Sequence, residues 1–98
     1  MHQVHFKVRL GKTYYNEGFF NVPVAFARHF AEHGTELKMY CGSERALLMG
    51  MLDRKANQKS GTPRIYGKAE LARWIQKSLK MDDFLEVTVV STRELLLN

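Results

Sequence analysis

Ninety-eight residues with 45% apolar side chains and eleven aromatic ones are enough for one hydrophobic core and too few for two, and no low-complexity run points to disorder. A single cysteine excludes an internal disulfide and suits a reducing, cytoplasmic setting, and no run of eighteen apolar residues or signal-like leader argues for a membrane or for export. The formal net charge of +5 favours an anionic partner, with nucleic acid ahead of a membrane surface because no strongly basic amphipathic helix is present.

In chain order, residues 3–10 alternate strictly. Val4, Phe6, Val8 and Leu10 point one way and His5, Lys7 and Arg9 the other, the period-two pattern of a half-buried strand. Gly11 and Gly18 then bound GKTYYNEG, a turn-rich segment expected to be an exposed arm carrying Lys12, Tyr14, Tyr15 and Asn16. A short strand holds Phe19, Phe20 and Val22, and Pro23 fits the first position of a helix running to about His33, with Phe26 and Phe30 on one face and Gly34 as its stop. Residues 35–40 and 46–52 read as two strands of a hairpin.

The second of those strands runs directly into DRKANQKSGTPRIYGK, residues 53–68. Arg54, Lys55, Lys59, Arg64 and Lys68 stand there against one acid, Asp53, so this stretch holds four of the five net charges. With Asn57, Gln58, Ser60, Gly61 and Thr62 among the cations it has nothing to bury. It is expected to form a basic arm, although charge runs on their own are more often plain solvated loops. Residues 64–66 return as a strand, and a second helix over 69–79 stacks Leu71, Ile75 and Leu79, with Glu70 at its start and Lys77 near its end as the helix dipole favours. Residues 84–91 and 95–97 complete the chain as strands.

Seven short strands and two helices in 98 residues leave too few helices for parallel crossover connections. The order predicts one domain, mainly β, in which a small, mostly antiparallel barrel is capped by two short helices. Both arms are expected to emerge from one side of it and to enter a major groove, which is wide enough for a β-ribbon.

Three enzymatic or metal readings are weaker. Glu36 and Lys38 have the E-x-K spacing of metal-dependent nucleases, but that chemistry needs an upstream aspartate, and the first in the chain is Asp53. His29 and His33 share a helical face without a third ligand. Asp82, Asp83 and Glu86 read as a solvated turn, and no phosphate loop, nucleophile elbow or HExxH is present. No catalytic residue, metal site or cofactor is therefore assigned. The alternatives to DNA recognition are a nuclease using Glu36 and Lys38, or a non-catalytic barrel that binds RNA or protein.

Three stretches, GFFNVPVAFARHF (residues 18–30), PRIYG (63–67) and ARWIQKSLKMDDFLEVTVVST (72–92), together resemble the B3-like pseudobarrel DNA-binding domain. That domain occurs in plant transcription factors and as the effector domain of restriction endonucleases such as EcoRII and its relatives. The resemblance implies a seven-stranded open barrel with two short helices, whose N-arm and C-arm grip the major groove of double-stranded DNA. It makes residues 12–21 the N-arm, with Lys12, Tyr15, Asn16 and Asn21 as contacts. Residues 54–64 become the C-arm, with Arg54, Lys55, Asn57, Gln58, Lys59 and Arg64. It further implies a monomeric recognition module fused to a nuclease domain and a short CCWGG-type target, while the amides, Gly61 and Pro63 of this C-arm depart from the more highly charged arm of EcoRII.

Overall fold

Alternation decides the strands. In β1 (Val4–Arg9) Phe6 and Val8 are buried while His5, Lys7 and Arg9 face solvent, and the same in-out rhythm runs through β3 (Glu36–Cys41), which buries Leu37, Met39 and Cys41. The computed structural model describes residues 4–98, so Gln3, placed in the first strand by its sequence pattern, lies outside the described residues. The remaining strands are β2 (Phe19–Asn21), β4 (Ala46–Asp53), β5 (Arg64–Tyr66), β6 (Phe84–Ser91) and β7 (Glu94–Leu97).

All seven form one sheet in the order β1-β6-β7-β3-β4-β5-β2. Every neighbouring pair is antiparallel except β3 with β7, which run parallel from Lys38 opposite Glu94 to Cys41 opposite Leu97. The sheet coils into a nearly closed, mainly β barrel with β1 and β2 at its two edges. The pseudobarrel expected from the order of elements is the fold. Its interior holds Phe20, Leu37, Met39, Leu52, Ile65, Leu85, Leu95 and Leu97, all fully buried. No side-chain polar atom among the described residues is left buried without a partner. Burial pushes the Cys41 thiol up to about 12, so it stays protonated and packs as a small apolar group.

Two helical expectations are corrected. The helix expected from Pro23 to His33 is a 3-10 helix over Val24–His29, and Phe30 leaves it in extended conformation. Its apolar face is the one foreseen: the Phe26 ring stacks on Phe6 at 4.9 Å between centroids, and Phe30 meets Phe6 edge-on at 6.5 Å. The glycine-bounded segment expected as an exposed arm is a helix, α1 (Lys12–Glu17). Gly18, at φ 73°, caps it with its N–H on the Tyr14 carbonyl.

Close packing explains why α1 is not an arm. A side chain at Gly18 would collide with the Lys68 carbonyl oxygen, and the Gly18 carbonyl accepts from both Gly67 and Lys68 N–H groups. That approach seats α1 against α2 (Lys68–Ser78), whose Leu71, Ala72 and Ile75 are buried. The Tyr15 hydroxyl donates to the Leu79 carbonyl at 3.1 Å, and Gln76 Nε2 donates to the Tyr15 carbonyl. Among the described residues, no helix is long and apolar enough to cross a membrane.

Candidate functional site

The strand pair β2–β5 organises the basic end of the molecule. Phe20 and Ile65 point inward and are fully buried, so period two turns Phe19 and Asn21 of β2, with Arg64 and Tyr66 of β5, to the outer face. The 54–63 loop enters β5 at Arg64, and α2 leaves just after Tyr66. A three-residue strand spans only about 10 Å, so the basic loop and the α1–α2 pair flank one outer face from its opposite ends. Both arms were expected on one side; α1 lies at the far end of β2 from the loop, and only the last residue of the supposed N-arm, Asn21, reaches it.

The loop is an anchored ridge. Asp53 Oδ1 accepts the backbone N–H groups of Lys55 at 2.7 Å and Ala56 at 3.0 Å, closing the first turn. These donors, Lys55 foremost, hold the Asp53 carboxyl below its ordinary value of 3.8. The Arg54 N–H donates to His33 Nδ1 at 3.0 Å. Asp53 Oδ1 lies 3.5 Å from the same nitrogen.

Arg54, expected to touch DNA, is committed elsewhere. Its Nε donates to the Ala31 carbonyl at 2.8 Å, and Nη2 to those of Ala27 at 2.9 Å and Phe30 at 2.8 Å. One guanidinium thus gathers three carbonyls at the end of the 3-10 helix, of which Ala27 also accepts the Phe30 N–H. Further along the loop, the N–H groups of Ser60 and Gly61 close on the Asn57 carbonyl, and the Val22 N–H donates to the Pro63 carbonyl at 2.7 Å. Lys55, Gln58 and Lys59 remain exposed on the crest.

Beside the crest lies a connected group. Asn21 Oδ1 accepts from Asn57 Nδ2 and from Arg64 Nε, each at 3.0 Å. The Arg64 guanidinium lies over the Phe19 ring, 4.5 Å from its centroid, and Nη1 donates to the Tyr66 hydroxyl at 3.2 Å. Phe19 in turn meets Tyr14 of α1 edge-on at 5.4 Å. Of the ten residues picked out by sequence, Asn21, Lys55, Asn57, Gln58, Lys59 and Arg64 are thus brought together. Lys12 and Asn16 are exposed on α1 at the other end, Tyr15 is turned against α2, and Arg54 is spent on the 3-10 helix. Sequence reasoning missed Phe19 and Tyr66. Their signal was the period of β2 and β5, which sets both on the side opposite Phe20 and Ile65.

Of the other candidates, His33 touches the start of the basic loop, where it accepts the Arg54 N–H. Glu36 and Lys38 face outward on β3 and line a broad open groove of about 570 Å³ with Met49, Arg93 and Glu94. Glu94 there accepts from Ser91 at 3.0 Å. Among the described residues, no three His, Cys, Asp or Glu side chains gather as metal ligands. Asp82 pairs with Arg9 at 2.9 Å and Asp83 accepts the Lys80 N–H, so the acidic turn is structural. On the outer face of β4, Leu47, Met49 and Met51 form an exposed apolar row.

No protein-family model and no curated relative matches the chain. Solved structures that share its fold include two that superpose over nearly the whole of it. The N-terminal domain of LlaJI.R1 from Helicobacter pylori superposes with a TM-score of 0.68 at 16% identity, covering 98% of this chain and 79% of that one. A hypothetical protein of Arabidopsis thaliana superposes with a TM-score of 0.67 at 8% identity, covering 99% and 89%. At such identities the likeness is one of architecture. It extends over nearly the whole chain and confirms the pseudobarrel.

Proposed function

We propose that this chain binds double-stranded DNA sequence-specifically through the major groove, using the outer face of β2–β5 and the basic ridge beside it. The observation that carries the reading is the composition of that ridge: Lys55, Gln58 and Lys59 stand free on a loop pinned at both ends, next to Asn21, Asn57 and Arg64. The lysines supply the phosphate neutralisation that dominates affinity, and the amides and Arg64 supply the donors and acceptors that base edges require. Lys12 and Asn16, at the other end of the same face, would add backbone contacts. The chain would act as a monomer and without a cofactor.

The resemblance to EcoRII-like effector domains extends the proposal to target recognition in a restriction endonuclease, at a short CCWGG-type site, with cleavage assigned to a separate nuclease domain. The fold shared with a domain of a larger protein, the N-terminal part of LlaJI.R1, supports a modular role of this kind.

The test is a salt titration of duplex binding with single-stranded RNA as competitor. Replacing both Lys55 and Lys59 with alanine should weaken binding and lower the slope of log K against log salt by about 1.8, or about 0.9 for each phosphate no longer neutralised. RNA competing as well as duplex, or a double variant with an unchanged slope, would remove the ridge from the interface. Incubating the protein with plasmid and magnesium separates reader from nuclease, because a reader leaves the plasmid intact.

A further inference from the structure

One side chain on this face is oriented before any ligand arrives. Arginine can only donate, so the contact between Arg64 Nε and Asn21 at 3.0 Å fixes which end of the Asn21 amide faces it: the oxygen. Asn57 must then present its own Nδ2 to that oxygen, as it does at 3.0 Å. The guanidinium is held from below by the Phe19 ring at 4.5 Å and from the side by the Tyr66 hydroxyl, which accepts from Nη1. Two of its five N–H groups are engaged. Nη2 has no hydrogen-bond partner and Arg64 forms no ion pair among the described residues, whereas Arg54 gives Nε and both Nη2 N–H groups to three carbonyls and keeps only Nη1 without a partner.

A planar pair of donors with no acceptor selects a ligand edge carrying two adjacent acceptors. In the major groove only guanine presents one, at O6 and N7; adenine offers an acceptor beside a donor, thymine an acceptor beside a methyl group, and cytosine a donor. We propose that Arg64 reads a guanine through O6 and N7, with Asn21 and Asn57 as positioning residues that hold its plane. The proposal rests on the DNA-binding reading above and deepens it by naming the base.

Duplexes enriched from a randomised pool by the full chain are methylated at guanine N7 with dimethyl sulfate and rebound. One guanine should show strong interference, and 7-deazaguanine at that position should weaken binding. Arg64→Lys keeps the charge and loses the fork. It should cut the preference for guanine over adenine at that position by roughly 5- to 150-fold, the worth of one bidentate pair, while binding to unrelated duplex falls less. Asn21→Ala leaves Arg64 in place but unclamped and should relax the same position in part; it serves if Arg64→Lys fails to fold. A preference for that guanine retained in both variants overturns the proposal, and so does a weakening in Arg64→Lys shared equally by all duplexes, which marks a phosphate contact. Absence of any enriched duplex overturns the DNA-binding reading itself.

Discussion

Arg54 and Arg64 lie ten residues apart in one basic stretch, and their surroundings divide their labour. Three carbonyls of the 3-10 helix end take Nε and Nη2 of Arg54, and those of Phe30 and Ala31 lose that donor in Arg54→Ala, which should cost about 2–3 kcal/mol in urea unfolding, the range for charge-assisted hydrogen bonds. Arg54→Lys should recover little, because one ammonium does not reach three acceptors in the geometry of the fork. Asp53 acts at the same hinge through its charge. Its folded-state carboxyl is held below the ordinary 3.8, so its contribution is present above the unfolded value and is lost as pH falls through the folded one. NMR shifts of the Lys55 and Ala56 amides should therefore titrate together below about pH 4, and Asp53→Asn should abolish that titration; amides unmoved across this range would mean the carboxylate does not hold the turn.

At the scale of the element, period-two strands were legible because one buried face imposes a register on every residue. The observed bounds of β1, β3, β4, β6 and β7 fall within a residue or so of the alternation in the sequence. The six residues of α1 were not. Too short to show a helical period, α1 is defined by its glycine caps and by contact with α2, which lies more than fifty residues away in sequence. Gly18→Ala tests that contact: a methyl group there collides with the Lys68 carbonyl and the backbone must keep φ near 73°. The substitution should destabilise the fold by about 3 kcal/mol or more. A change below about 0.5 kcal/mol, the range of ordinary surface positions, would show that α1 does not depend on this approach. The Phe26 and Phe30 spacing likewise named the right buried face but the wrong helix type, since a 3-10 turn followed by an extended residue brings both rings to Phe6.

Across the whole molecule, the barrel turns a linear charge cluster into a surface. The cluster was visible in the sequence, and so was the fold that carries it. What separates its members is tertiary: Asn21 joins the loop through partners 36 and 43 residues away, Arg54 leaves it for carbonyls 23 to 27 residues back, and α1 sits at the far end of the same strands. No local pattern encodes those distances. The resulting face has exposed cations on a fixed ridge and a clamped arginine beside it, which is the division between phosphate affinity and base discrimination that sequence-specific binding needs. Selection of bound duplexes from a randomised pool at near-physiological salt tests this most directly. One short motif should be enriched, and kept at lower affinity when Lys55 and Lys59 are both replaced by alanine; a bound fraction with the same sequence distribution as the starting pool would rule out sequence-specific recognition.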